Sequence, residues 1–166
     1  MTPEAVIRRL QLQPHPREGG YFREMYRSSL TVPQAALGKP YPGDRSLSTA
    51  IYYLITPTTF SAMHRLPGDE VFHHYLGGAV EQLVLLPDNT SQVRVLGSDL
   101  ENGELPQLVV PAHAWQGARL RDGEGFALLG ATMAPGFDYA DYEHGHRDAL
   151  LSQYPSQAEL IGILTT

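Results

Sequence analysis

The chain has 166 residues, 42% of them hydrophobic and 18% charged, with twelve Lys and Arg against eighteen Asp and Glu for a net charge of −6. A globular chain of this length buries about 70% of its unfolded surface, so a single domain over 1–166 is expected, without need of disulfides, which the absence of cysteine excludes along with thiolate metal sites and a cysteine nucleophile. No basic block is present to neutralise a run of phosphates, and no apolar run approaches the ~18 residues of a membrane span, so neither nucleic acid nor membrane is an expected partner. The first residues lack the apolar core of a signal peptide, and a cytoplasmic location is the expectation.

Thr2-Pro3-Glu4 reads as a helix N-cap, a first-turn proline and an acid at the positive end of the helix dipole. Val6, Ile7 and Leu10 then share one stripe, predicting a short helix near 3–11. Short segments rich in β-branched and aromatic residues follow at 21–28, 47–56, 59–66, 70–76, 80–86, 92–96, 107–110 and 126–133, each bounded by turn residues such as PGD, GG, PDN, ENG and RDGEG. Eight or more closely spaced strands without alternating helices predict a mostly antiparallel sandwich, jelly roll or small barrel. The proline- and glycine-rich connection 30–45 reads as a lid, an arm reaching another subunit, or a plain surface loop. A closing helix near 156–163 is predicted from the capping-box spacing of Ser156 and Glu159 ahead of Leu160, Ile161 and Leu164.

Chemistry concentrates in HRLPGDEVFHHYLGG, 64–78. A strand ending at His64, a PGD turn and a strand opening at Glu70 place imidazole and carboxylate on neighbouring strands, where they can share a proton or a metal, or form a structural ion pair. Alternation puts Glu70, Phe72 and His74 on one face and Val71, His73 and Tyr75 on the other. His74 is therefore the histidine expected beside Glu70, with His73 taking its place if a bulge follows the turn. In PAHAWQGA, Trp115 is either a core aromatic or a flat wall for a ring or sugar, and Gln116 offers both a donor and an acceptor to a ligand. In HPREGGYFREMYRS, Arg23 clamps an anionic group if it shares a face with Tyr21, and otherwise belongs to a solvated edge strand. Glu143, His144 and His146 read as an exposed polar loop rather than a metal site. Neither a nucleophile elbow, a phosphate-cradling glycine loop nor an HExxH helix is present.

HRLPGDEVFHHYLG resembles the first motif of the cupin superfamily, with His64, Glu70 and Gly77 in place and Leu66 where a second histidine stands. PAHAWQ resembles the second motif, with Pro111 in place, His113 at the glycine position and Gln116 at the histidine position. Together with STAIYYLI and GATMAPGFDYADYE, these blocks look like the small uncharacterised cupins of the cupin-five type, over nearly the whole chain. The resemblance implies a double-stranded β-helix, or jelly-roll barrel, with short flanking helices, a homodimer, and a polar pocket inside the barrel. Metal-binding cupins hold their ion with three histidines and one glutamate, of which His64 and Glu70 are present here.

The expectation is a small-molecule-binding cupin with His64 and Glu70 as the catalytic pair. His73, His74, Trp115, Gln116, Tyr21 and Arg23 are its candidate ligand-binding residues. It has no dedicated metal site or cofactor, and at most a weakly held divalent ion at His64 and Glu70. Metal-independent isomerisation or epimerisation of a polar, sugar-like or oxygenated ligand fits best, with Glu70 as the hydrogen-bonding partner of His64. A metal-dependent dioxygenase or isomerase and a non-catalytic binding or storage-like protein are the alternatives.

Overall fold

The computed structural model describes residues 1–123 and 125–166. Helix α1 spans Pro3–Leu10, with the Thr2 hydroxyl accepting from the Ala5 N–H. Strands β1 (Gln13–Pro14), β2 (Tyr21–Arg27), β3 (Thr31–Val32), β4 (Arg45–Ser46), β5 (Thr49–Ile55), β6 (Ser61–Arg65) and β7 (Glu70–Gly77) make up the first half, with the single turn α2 (Gln34–Leu37) between β3 and β4. The second half contains β8 (Val80–Leu85), β9 (Ser91–Leu96), β10 (Gln107–Val110), β11 (Trp115–Leu120), β12 (Ala127–Met133) and β13 (Glu143–His144), then α3 (Arg147–Gln153) and α4 (Ala158–Leu164).

One antiparallel sheet runs β1-β2-β5-β12-β7-β10 and the other β13-β6-β11-β8-β9, so successive strands cross between the sheets as in a jelly roll. The predicted mostly-β barrel with short flanking helices is the observed fold. Alternation along each strand explains its layers. Inward residues of both sheets, among them Tyr53, Ile55, Phe72, Val84, Leu108, Ala118 and Leu129, form the central core. Outward Leu54 and Leu128 pack under α1 with Val6. Outward Met63, Leu83, Leu85 and Trp115 lie beneath α3 and α4 with Leu150, Tyr154, Ile161 and Leu164. Each such aliphatic side chain, fully buried, contributes about 1.5–3 kcal/mol.

Three local expectations change. WQGARL is strand β11, paired with β8 and β6 at the centre of its sheet, although it lacks β-branched residues; burial between neighbours overrides propensity. The segment after 143 is not a loop throughout, because Glu143 and His144 pair with β6 and α3 covers the sheet. The 30–45 connection is tied down at its end, where buried Arg45 forms a two-pronged ion pair with Asp141 at 2.7 and 2.5 Å. No helix of the described residues is long and apolar enough to cross a membrane.

Candidate functional site

A cavity of about 170 Å3 opens at one end of the barrel, lined in depth by His15, Glu18, His64, Leu66 and Glu70 and towards its rim by Phe22, Glu24, Arg27, Phe137, Asp138 and Tyr139. His64 and Glu70 are consecutive in the motif but stand in opposite sheets, on β6 and β7, and face each other across the interior instead of lying on neighbouring strands. Only 2% and 8% of their surfaces are exposed.

Their partners also differ from expectation. Gln116 is the register partner of His64 on β11, and its Nε2 donates across to Glu70 Oε2 at 2.6 Å. Glu70 is thus bonded to Gln116, while the carboxylate nearest His64 is Glu18, with Oε2 3.8 Å from Nε2. His64 Nδ1 lies 2.7 Å from the Ala62 carbonyl, which can only accept, so Nδ1 carries a proton. In the neutral ring the lone pair therefore sits on Nε2, towards the cavity. His15 is oriented the opposite way, since its Nδ1 accepts the Glu18 N–H at 2.9 Å and its proton sits on Nε2, 3.7 Å from Glu18 Oε2. Tyr142 stacks on His64 at 5.3 Å and holds the imidazole plane.

Burial and the nearby Glu18 carboxylate push Glu70 up to about 7, against the smaller opposing pull of His64 and the Gln116 hydrogen bond. Burial holds His15 below the ordinary imidazole value, an effect strengthened by His64 and opposed by Glu18. A buried carboxyl that is half-ionised near neutrality thus faces an imidazole, a combination suited to moving a proton in either direction.

Glu18 had no signal as a ligand in the sequence, although EGG at 18–20 marks the turn that delivers it. Gly19 and Gly20 both have positive φ, and a Cβ on either would collide with the Phe60 or Leu54 carbonyl. Ser61 Oγ donates to Glu18 Oε1, and the Glu18 carbonyl accepts from Ala62 N–H at 2.7 Å, clamping the turn against β6.

The remaining expected site residues lie elsewhere. Arg23 and Tyr21 do share a face of β2, but it is the outer one. Arg23 donates to the Leu10 carbonyl at 3.1 Å and Tyr21 packs with the α1 cluster, while Phe22 and Glu24 face the cavity. Trp115 alternates with Gln116 and so points outward, under α3 and α4, with the Arg65 guanidinium 4.5 Å from its ring centroid. It is a core aromatic and no ligand wall. His73 is on the outer face, bonded to Thr132 Oγ1 and the Gln107 amide. His74 is not beside Glu70 either: it bonds the Gly78 carbonyl at 3.1 Å, four residues along the strand and so about 13 Å away.

A cupin-type metal centre needs four donors, and the four positions here are His64, Leu66, Glu70 and Gln116. Leu66 has none to give, and Gln116 turns its N–H towards Glu70, so this set does not fit the ion. Among the described residues no group of three or more His, Cys, Asp or Glu is placed to hold a metal. His113, at the glycine position of the second motif, has φ +66°, a left-handed conformation that glycine adopts without strain.

Comparison with known proteins agrees with the fold. A family model described as "Cupin superfamily (DUF985)" matches residues 4–145. The uncharacterized protein YML079W of Saccharomyces cerevisiae is 32% identical over 150 residues, covering 84% of this chain and 73% of that protein. A hypothetical protein from Leishmania major superposes with a TM-score of 0.88 at 33% identity over 99% of both chains. Protein SO0799 from Shewanella oneidensis gives 0.87 at 31% over 100% of this chain and 98% of that one. Oxalate decarboxylase from Bacillus subtilis matches at 0.55 with 13% identity, over 93% of this chain and 37% of that one, a likeness of fold alone.

Proposed function

Because the chain belongs to the DUF985 family of the cupin superfamily, with its barrel cavity built around a His64 and Glu70 pair, we propose that it binds a small oxygenated molecule there and isomerises or epimerises it by proton transfer. The observation that carries this reading is the juxtaposition of a His64 Nε2 left free by the Ala62 carbonyl with a buried Glu70 whose pKa is about 7.

The chemistry balances within the cavity. His64 Nε2 takes the proton from a carbon beside a carbonyl, while protonated Glu70 gives its proton to the carbonyl oxygen, producing a neutral enol. For epimerisation the same hydroxyl returns its proton to Glu70 and, once the ligand has turned, the imidazolium protonates the same carbon on its opposite face. For isomerisation of a hydroxycarbonyl ligand the hydroxyl on the deprotonated carbon gives its proton to Glu70 instead, while the imidazolium protonates the former carbonyl carbon. Glu18, 3.8 Å from His64 Nε2, stabilises the imidazolium formed midway. Leu66 and Met133 keep that end of the cavity apolar, strengthening each of these interactions.

The test is deuterium wash-in. The protein is incubated in heavy water with a panel of aldoses, ketoses and hydroxyketones, and carbon-bound deuterium is read by NMR. The expected result is catalysed incorporation into one class of ligand, falling about 100-fold or more in Glu70→Gln and in His64→Asn. Binding of a ligand without any incorporation would instead assign the cavity to a non-catalytic binding protein.

A further inference from the structure

We propose that the cavity selects a small organic cation, an amine-bearing carbonyl ligand of the amino-sugar type, over neutral or anionic analogues. The inference rests on the functional reading above and narrows its ligand class.

The first observation is charge. Glu18, Glu24, Glu70 and Asp138 line the cavity against a single guanidinium, and that one is already engaged. Arg27 is held by Glu24 through Nε and Nη2 at 2.9 and 2.8 Å, and its Nη2 also donates to the Phe137 carbonyl at 2.9 Å. With Asp138 close enough to stabilise the guanidinium further, an incoming carboxylate or phosphate finds no free positive partner among the described residues that line the cavity, the Arg17 guanidinium near Tyr139 and Tyr142 lying outside that lining. Even a protonated His64 leaves acids in excess. An anion would therefore enter a negative field and displace an existing ion pair.

The second observation is independent and concerns hydrogen bonds. Glu70 is more than nine-tenths buried, yet only its Oε2 receives a donor, from Gln116, and no described residue donates to Oε1. Glu18 Oε1 is satisfied by Ser61, but its Oε2 is 3.7 and 3.8 Å from the two imidazole nitrogens, beyond hydrogen-bonding distance. Glu70 Oε1 and the Oε2 of the partly buried Glu18 are not sealed in the core but belong to side chains lining the cavity, and carboxylate oxygens in so enclosed a space are normally paired, so they mark a place for N–H or O–H groups from outside the chain. An ammonium supplies three donors and the opposite charge together.

The third is the wall. Phe22, Phe137 and Tyr139 line the outer part of the cavity, with His15 against Phe22 at 4.7 Å and Phe137 against Tyr139 at 5.0 Å between ring centroids. Aromatic faces beside carboxylates attract an ammonium through the ring quadrupole and repel an anion.

The experiment is a binding titration, by calorimetry or by NMR shifts of the cavity residues, with two matched series: D-glucosamine, D-glucose and D-glucuronate, and ethanolamine, ethylene glycol and glycolate. In at least one series the ammonium member is expected to bind about tenfold or more tighter than its neutral partner, with the anion weakest. Glu18→Gln should remove most of that preference, lowering the ammonium member's affinity more than the neutral member's. Because Glu18 also anchors its turn through Ser61, Tyr139→Leu at the exposed rim serves as the second variant and should weaken the cation more than its neutral partner. Equal or tighter binding of the neutral or anionic members, or no ammonium binding in either series at roughly 10 mM, overturns the inference. Cation-selective binding without deuterium wash-in would sink the proposed reaction and leave the inference standing. Wash-in confined to a neutral or anionic ligand would sink the inference alone.

Discussion

Glu70 is the residue whose surroundings decide most. Its carboxyl is kept near half-ionisation by burial and by Glu18, and it is oriented by the Gln116 amide from the opposite sheet. Glu70→Gln keeps the shape and an oxygen to accept that amide's N–H but cannot exchange a proton. The proposed proton exchange should therefore fall about 100-fold or more while the fold is kept, as read by exchange rate and circular dichroism on the same preparation. The sequence identified His64 and Glu70 from their spacing in the motif. It could not identify Glu18, because the contact depends on a turn 46 residues upstream of His64 closing onto β6, which no local pattern encodes. His73 and His74 show the converse: both are adjacent in sequence to the site, but alternation turns one to the outer face and the strand's rise carries the other four residues along β7 from Glu70.

At the scale of elements, the reading of the second motif turned on whether 115–120 is a strand. As a strand it must alternate, so Gln116 inside requires Trp115 outside, beneath α3 and α4. Trp115→Ala should then cost about 3–5 kcal/mol in stability and leave ligand binding at the cavity unchanged, measured by urea denaturation beside a binding titration. A ligand wall would give the opposite pattern. The motif glycine is equally a matter of backbone. Gly77 ends β7 with φ +91°, and a Cβ there would run into the Phe126 carbonyl. Gly77→Ala should destabilise by about 2 kcal/mol or more, seen as a lowered denaturation midpoint with an unchanged denaturant slope. The Tyr21 and Arg23 pairing was legible in its relative geometry, since residues two apart share a face. Which face met the core was not, because aromatics occur on both sides of β2, under α1 and against the cavity.

For the whole molecule, an acid with a raised pKa makes stability depend on pH in a defined direction. Folded Glu70 holds its proton up to about pH 7, whereas the unfolded chain releases it near its ordinary value of 4.5. Folding therefore takes up a proton between these values, and the contribution is most favourable below pH 4.5 and is lost as pH rises through 7, by about 3 kcal/mol in all. Glu70→Gln should consequently be more stable than the parent at pH 8 and nearly equal to it at pH 4.5, with equilibrium unfolding at the two pH values as the measurement. An unchanged difference between them would contradict a buried, proton-holding Glu70. The sequence by itself determined most of the strands, the barrel class and His64 and Glu70 as cavity residues, because strand periodicity, turn residues and motif spacing are all encoded within a few residues of one another. Tertiary structure alone decided which face of each strand met the cavity, that Glu18 and Gln116 partner His64 and Glu70, and that Glu70 titrates near 7. Those properties come from burial and from contacts between opposite sheets, and they arise only when distant segments close around a shared interior.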